Sequence, residues 1–254
     1  MELVSRALDL RVLGRLDGRL EGRRILLGAP HQQLVLAVLL RHAGCTVSMD
    51  RLADALWGDT PPASATANLH LHIHRIRKAM GKERLLTSGR RGYSLEVAPH
   101  ELDARRFVAR MPDVRRALEQ GELARASRLN REALAEWRGP AYADFADHRA
   151  LRDAAAYLEE LRLEAEEQQV DIDLALRDHN HLIGRLRLLI ADHPYRERFR
   201  EQLVLVLYRT GRAAEALEQC RETRRVLVED LGLDPGARLR DLEKRILEGD
   251  EELL

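Results

Sequence analysis

Residues 63–81 read ASATANLHLHIHRIRKAMG, and their apolar side chains recur at helical spacing. Wound at about 100° per residue, Leu69, Ile73, Ile76 and Met80 fall on one stripe, the expected core face, with Thr66 and Arg77 at its margins. The opposite face carries Ser64, Ala67, Asn68, Leu71, His74, Arg75 and Lys78, with His70 and His72 on its flanks. Small residues at the first turns let a helix approach another surface closely. Asn, His and Arg offer donors to base edges, Lys offers a phosphate contact, and the outward Leu71 can meet a thymine methyl. A basic helix face taken alone is more often just solvated; its neighbours in the sequence decide between the two readings.

Upstream, Leu8, Leu10 and Val12 alternate at period two, Gly14, Gly18 and Gly22 punctuate, and Arg24 to Leu27 adds a further short apolar run, which together predict a small antiparallel sheet. Pro30 opens an apolar segment that closes at Arg41-His42-Ala43-Gly44, a buried helix of about a dozen residues. Ser48 is placed to cap a second helix, Met49 to Trp57, with Asp50 in its first turn, where the helix dipole favours an anion. The loop Gly58-Asp59-Thr60-Pro61-Pro62 is stiff because each proline fixes its own φ and restricts the residue before it. The helix of residues 63–81 follows. Residues 84–97 then place apolar ends around Gly89-Arg90-Arg91-Gly92, a β-hairpin with arginines at its tip. Three helices and a basic hairpin make a winged helix-turn-helix, whose third helix enters the major groove while the wing reaches the adjacent minor groove.

The whole chain of 254 residues balances 42 Lys and Arg against 42 Asp and Glu. That zero conceals a division. Residues 1–98 hold 15 basic against 9 acidic side chains, and the remainder holds 27 against 33. A basic half joined to an acidic half suits one polyanionic partner and one protein partner. The longest uncharged run, Ile25 to Leu40, is interrupted by Gly28, Pro30, His31, Gln32 and Gln33 and cannot supply a membrane span. The first residues lack the basic start and apolar block of a secretory signal. Cys45 and Cys220 stand far apart and give no disulfide framework. A cytoplasmic location is therefore expected.

From Glu101 onward the strand pattern ends. Residues 102–249 read as helices broken at Pro112, Gly121, Gly139-Pro140, Pro194, Gly211 and Gly232 to Pro235. Gly121 to Ala126 and Gly211 to Ala216 share a pattern of glycine followed five residues later by alanine, and Asp178 to Ile183 is a degenerate third copy 33 residues before the last. Small residues where helices cross, at a period near 34, point to tetratricopeptide-like stacking. The expected architecture is an α+β winged helix-turn-helix over residues 1–98 and an all-α helical-repeat domain over 99–254.

Leu71 to Met80 followed by Gly89-Arg90-Arg91-Gly92-Tyr93 resembles the recognition helix and wing of OmpR/PhoB-type response regulators, yet no receiver domain stands in front of it. A DNA-binding domain leading into a helical one resembles the Streptomyces antibiotic regulatory protein (SARP) family, whose second part is the bacterial transcriptional activation domain. Glu101 to Phe107, Ala133 to Pro140, His193 to Arg198, Leu207 to Arg212, Ala214 to Leu217 and Glu229 to Gly236 match segments of that pattern in order, so the resemblance covers essentially the whole chain. It is that of a small, stand-alone member. Relatives often carry Gln and Ser where this chain has His70 and His74, and Ser94 replaces an arginine that some response regulators use in the minor groove.

The resemblance implies a transcriptional activator that binds direct repeats near the −35 region of double-stranded promoter DNA as paired protomers. It further implies recruitment of RNA polymerase holoenzyme through σ, α and β subunit contacts, at a secondary-metabolite gene cluster. Asn68, Leu71, His74 and Arg75 are expected to read bases. Ser64, Thr66, His70, His72, Arg77 and Lys78 are expected to support them on sugar and phosphate, with Arg90 and Arg91 in the wing. Gly58, Asp59 and Thr60 are candidates for polymerase contact, being rigid and exposed between two DNA-facing helices. A ligand-sensing winged-helix repressor and a helical-repeat interaction scaffold are the competing readings. No catalytic motif is present, so no enzyme, cofactor or membrane partner is expected. His70 and His74 share a side of the helix but His72 lies about 200° away, so no metal site is expected either; DNA contact and packing of His72 near the core edge are the two roles left open.

Overall fold

The computed structural model describes residues 8–81, 83–87, 92–179 and 181–253. Strands β1 (Leu8–Arg11), β2 (Asp17–Leu20) and β3 (Arg23–Arg24) form an antiparallel sheet in that order, with Leu10 opposite Gly18 and Leu20 opposite Arg23. Helices α1 (Pro30–Arg41), α2 (Met49–Trp57) and α3 (Ala65–Met80) follow, and β4 (Leu85–Thr87) pairs antiparallel with β5 (Tyr93–Leu95). Helix α1 has seven consecutive buried residues, Leu34 to Leu40, and serves as the core against which both α2 and α3 pack. Ser48 Oγ accepts the Arg51 N–H at 3.1 Å, the cap expected from the sequence.

Among the described residues seven further α-helices follow: α4 (Asp103–Glu119), α5 (Leu123–Leu134), α6 (Arg152–Ala175), α7 (Leu182–Asp192), α8 (Glu197–Arg209), α9 (Ala213–Leu231) and α10 (Ala237–Leu247). One expected break is absent: Pro112 lies inside α4. A proline removes one helical N–H but tolerates helix on its C-terminal side. Here it stands just before the residue at which α4 passes from one compact unit of the chain to the next. Those units are 1–113 with 129–163, and 114–128 with 164–254.

In the second unit α8 packs against α7, α9 and α10, and Ala126 and Ala216 are fully buried, as small residues at helix crossings should be. Polar side chains cross-link the stack. Gln169 on α6 donates to Ser127 Oγ at 2.9 Å, while Arg198 and Gln202 on α8 both donate to the Asp171 carboxylate at 2.7–2.8 Å. Helix α9 ends at Gly232, whose φ of +67° is left-handed, and the Leu233 N–H returns to the Leu227 carbonyl at 3.2 Å. That is the glycine C-cap that releases the chain toward α10.

Candidate nucleic-acid interface

The stripe Leu69, Ile73, Ile76 and Met80 of α3 is buried to 2% exposure or less, joined by Ala65. This orientation leaves Ser64, Thr66, His70, His74, Arg75 and Lys78 in solvent, and Leu71 is 45% exposed. Asn68 is half-buried, and its Nδ2 donates to Ser64 Oγ at 3.1 Å, which holds the amide along the first turn.

Two of the expected contact residues turn toward protein. Arg77 Nε donates to the Leu85 carbonyl at 3.0 Å, its Nη2 donates to Thr87 Oγ1, and its guanidinium stacks over the Tyr93 ring at 5.5 Å. It is a strut from α3 to both strands of the hairpin. His72 is half-buried, edge-on to His31 of α1 with ring centroids 6.2 Å apart, and its Nδ1 is buried without a hydrogen-bond partner among the described residues. Burial first, then the neighbouring His31 and Arg75, push its pKa below the usual histidine value. Helical spacing puts Arg77 at the margin of the core stripe and leaves packing near the core edge open for His72, but their partners depend on what the hairpin and α1 place beside the helix.

The hairpin is pinned at its base. Arg84 forks onto the Glu101 carboxylate at 2.8 and 2.9 Å, and the Ala98 N–H adds a third donor at 2.9 Å. Burial alone would raise the Glu101 carboxyl, but Arg84 and the Ala98 N–H hold it below its ordinary value. The Tyr93 N–H and carbonyl exchange hydrogen bonds with Val47 at 2.9 and 2.8 Å, so the return strand is tied to the turn before α2. Arg90 and Arg91, expected at the wing tip, lie outside the described residues.

The loop after α2 starts at Gly58, whose φ is +62° and whose N–H bonds to Asp54 O at 2.9 Å. Arg149 Nη2 donates to that same carbonyl at 2.7 Å and to the Asp54 carboxylate. Asp59 and Thr60 are exposed. Among the described residues no group of His, Cys, Asp and Glu side chains is arranged to hold a metal, and no helix is long and apolar enough to cross a membrane.

Comparison with known proteins places both halves. A model described as "Transcriptional regulatory protein, C terminal" matches residues 22–95, and one described as "Bacterial transcriptional activator domain" matches residues 102–247. The regulatory protein AfsR of Streptomyces griseus is 36% identical over 251 residues, covering 97% of this chain and 25% of its own length. The regulatory protein DnrI of Streptomyces peucetius is 35% identical over 253 residues, covering 96% of this chain and 93% of its own. The solved structure of Mycobacterium tuberculosis EmbR in complex with a low-affinity phosphopeptide superposes with a TM-score of 0.91 at 33% identity, over 96% of this chain and 66% of that one. The chain thus spans about a quarter of the AfsR relative and nearly all of DnrI. A winged helix with an exposed recognition face, followed by the helical activator domain and shared in that order with these regulators, makes the chain a member of the Streptomyces antibiotic regulatory protein family.

Proposed function

We propose that this chain is a sequence-specific DNA-binding transcription activator of a secondary-metabolite gene cluster, acting in the cytoplasm, with residues 1–98 as its reader and 99–254 as its activating part. The observation that carries the reading is the solvent face of α3, on which His70, Leu71, His74, Arg75 and Lys78 stand free of the core and in front of a pinned hairpin. Asn68, Leu71, His74 and Arg75 read base edges in the major groove. Ser64, Thr66, His70 and Lys78 settle on the sugar-phosphate backbone, and Arg90 and Arg91 enter the neighbouring minor groove. Arg77, held against the hairpin, sets the angle between helix and wing, and His72 faces α1. Two protomers occupy direct repeats near the −35 element. The rigid Gly58 to Thr60 loop meets polymerase holoenzyme, whose σ, α and β subunits are the family's expected contacts.

The test is footprinting of the full chain on promoters of the neighbouring biosynthetic genes, with and without polymerase and across a salt series. Several phosphate contacts predict a steep fall in affinity with salt. Replacing Arg75 by Ala should weaken cognate binding by roughly 1–3 kcal/mol and relax base preference at one position of each repeat. An Arg75→Ala chain that binds cognate and scrambled sites as the parent does removes the assignment.

A further inference from the structure

Within the first compact unit, the C-terminal end of α1, α4 and α6 border an open crevice of about 390 Å³, in the size range of small-molecule sites. Its walls are apolar: Leu40, Leu102, Val108 and Leu158, with Tyr157, 59% exposed, at the rim. Three polar side chains line the same space, Arg41, Arg105 and Tyr142.

Both guanidiniums are held by backbone carbonyls. Arg41 Nη1 donates to the Ala150 carbonyl, and Arg105 donates to the carbonyls of Val97, at 3.0 Å, and Ala43. Nε and Nη2 of Arg41 and Nε of Arg105 make no hydrogen bond among the described residues. Tyr142 is 4% exposed and its hydroxyl makes no hydrogen bond among the described residues, although it is not one of the buried polar atoms left without a partner, so it reaches the solvent of the crevice. Burial and the Asp103 carboxylate push its pKa well up, so it is a donor at neutral pH. Its backbone is held at φ +51° by the Tyr142 N–H, which donates to Val12 O at 2.7 Å. The nearby Asp103 carboxylate is already occupied by the backbone N–H groups of Val12, Leu13 and Ala104.

We propose that this crevice is a binding site for an amphipathic organic acid, its apolar body lying against Leu40, Val108 and Leu158 and its carboxylate meeting Arg41, Arg105 and the Tyr142 hydroxyl. The fit is one of complementary charge. Two fixed cations and an unused donor border an apolar wall, a combination suited neither to a neutral hydrocarbon nor to a hydrated inorganic anion. The inference stands apart from DNA recognition, since none of these residues belongs to the α3 face.

Calorimetric titration of the full chain, without DNA, tests it with decanoate as the aliphatic probe and 1-naphthoate as the aromatic one. At least one of them should bind saturably at one site. If decanoate is the one, octanoate should bind more than tenfold more weakly, since each buried methylene is worth about fourfold. Tyr142→Phe keeps the ring and should weaken binding about tenfold by removing the donor. A second variant, Ala109→Leu with Ala154→Leu, fills the crevice from its two helical walls and should abolish binding. If neither acid saturates, or if either variant binds as the parent does, the site is not there.

Discussion

His72 shows how a residue on a recognition helix can be committed to the fold. In the folded chain its imidazole takes up a proton less readily because it is partly buried and faces His31 and Arg75, so its pKa lies below the ordinary histidine value near 6.5. The unfolded chain takes up that proton at about pH 6.5, whereas the folded chain does so only at lower pH. Between those two values the unfolded state binds more protons, so stability falls as the pH drops through the window and is fully present above it. His42, also shifted down by burial and by Arg51 and Arg41, adds to the same trend. The expected outcome is a urea midpoint that is flat above about pH 7 and declines below about 6.5. His72→Gln should flatten part of that decline, leaving the share of His42; an unchanged pH profile in the variant would assign the whole effect elsewhere. Arg77 carries the same lesson, since among the described residues its side chain bonds to Leu85 and Thr87 and stacks over Tyr93, all in the hairpin.

The hairpin is the element whose placement depends most on one residue. Gly92 has φ +146°, and a Cβ there would lie 2.0 Å from the Val47 carbonyl oxygen. The neighbour is backbone already bonded to Tyr93, so it cannot move aside cheaply. Gly92→Ala should therefore destabilise the chain by about 2–3 kcal/mol and weaken DNA binding through the displaced wing. Parental unfolding in urea would contradict it. At this scale the sequence was most readable. Period-two runs, Pro30, the Ser48 cap and the apolar stripe of α3 are local signals, and the elements they predict are the ones observed. Three features were not readable, each for a physical reason. The Pro112 break failed although an interior proline removes one hydrogen bond and crowds the carbonyl four residues back, because Phe107 before it and Val114 and Ala117 after it are buried and hold α4 on both sides. The strut made by Arg77 needed the hairpin in place. The crevice around Tyr142 needed α1, α4 and α6 together, which are more than a hundred residues apart along the chain at their extremes.

Charge divides the molecule near residue 98, but packing divides it elsewhere, and the difference has an energetic consequence. The N–H groups of Val12 and Leu13, just past β1, are taken by the Asp103 carboxylate at 2.8–3.0 Å. The carbonyls of Val12, Leu13 and Gly14 accept from Tyr142, Arg138 and Ala143 at 2.7–3.0 Å. The backbone of residues 12–14 in the basic half therefore bonds to residues from the acidic half, and the first compact unit reaches past residue 98 to 113 and takes in 129–163. Asp103 is fully buried, and burial raises its carboxyl pKa although Val12, Leu13, Ala104 and Arg138 all oppose the shift. Replacing it by Asn puts an amide NH₂ against at least one of these backbone donors in either orientation, since both carboxylate oxygens accept. A buried donor left without an acceptor costs about 1–3 kcal/mol, and bonds to a charged group are worth more than neutral ones, so Asp103→Asn should destabilise by about 2–3 kcal/mol. Both tryptophans of the chain, Trp57 and Trp137, lie in the first compact unit, so their fluorescence reports on it. The Trp emission transition in urea should move to lower denaturant in the variant. A variant with the parental Trp midpoint would mean that the charge boundary, not the packing boundary, limits the folding unit.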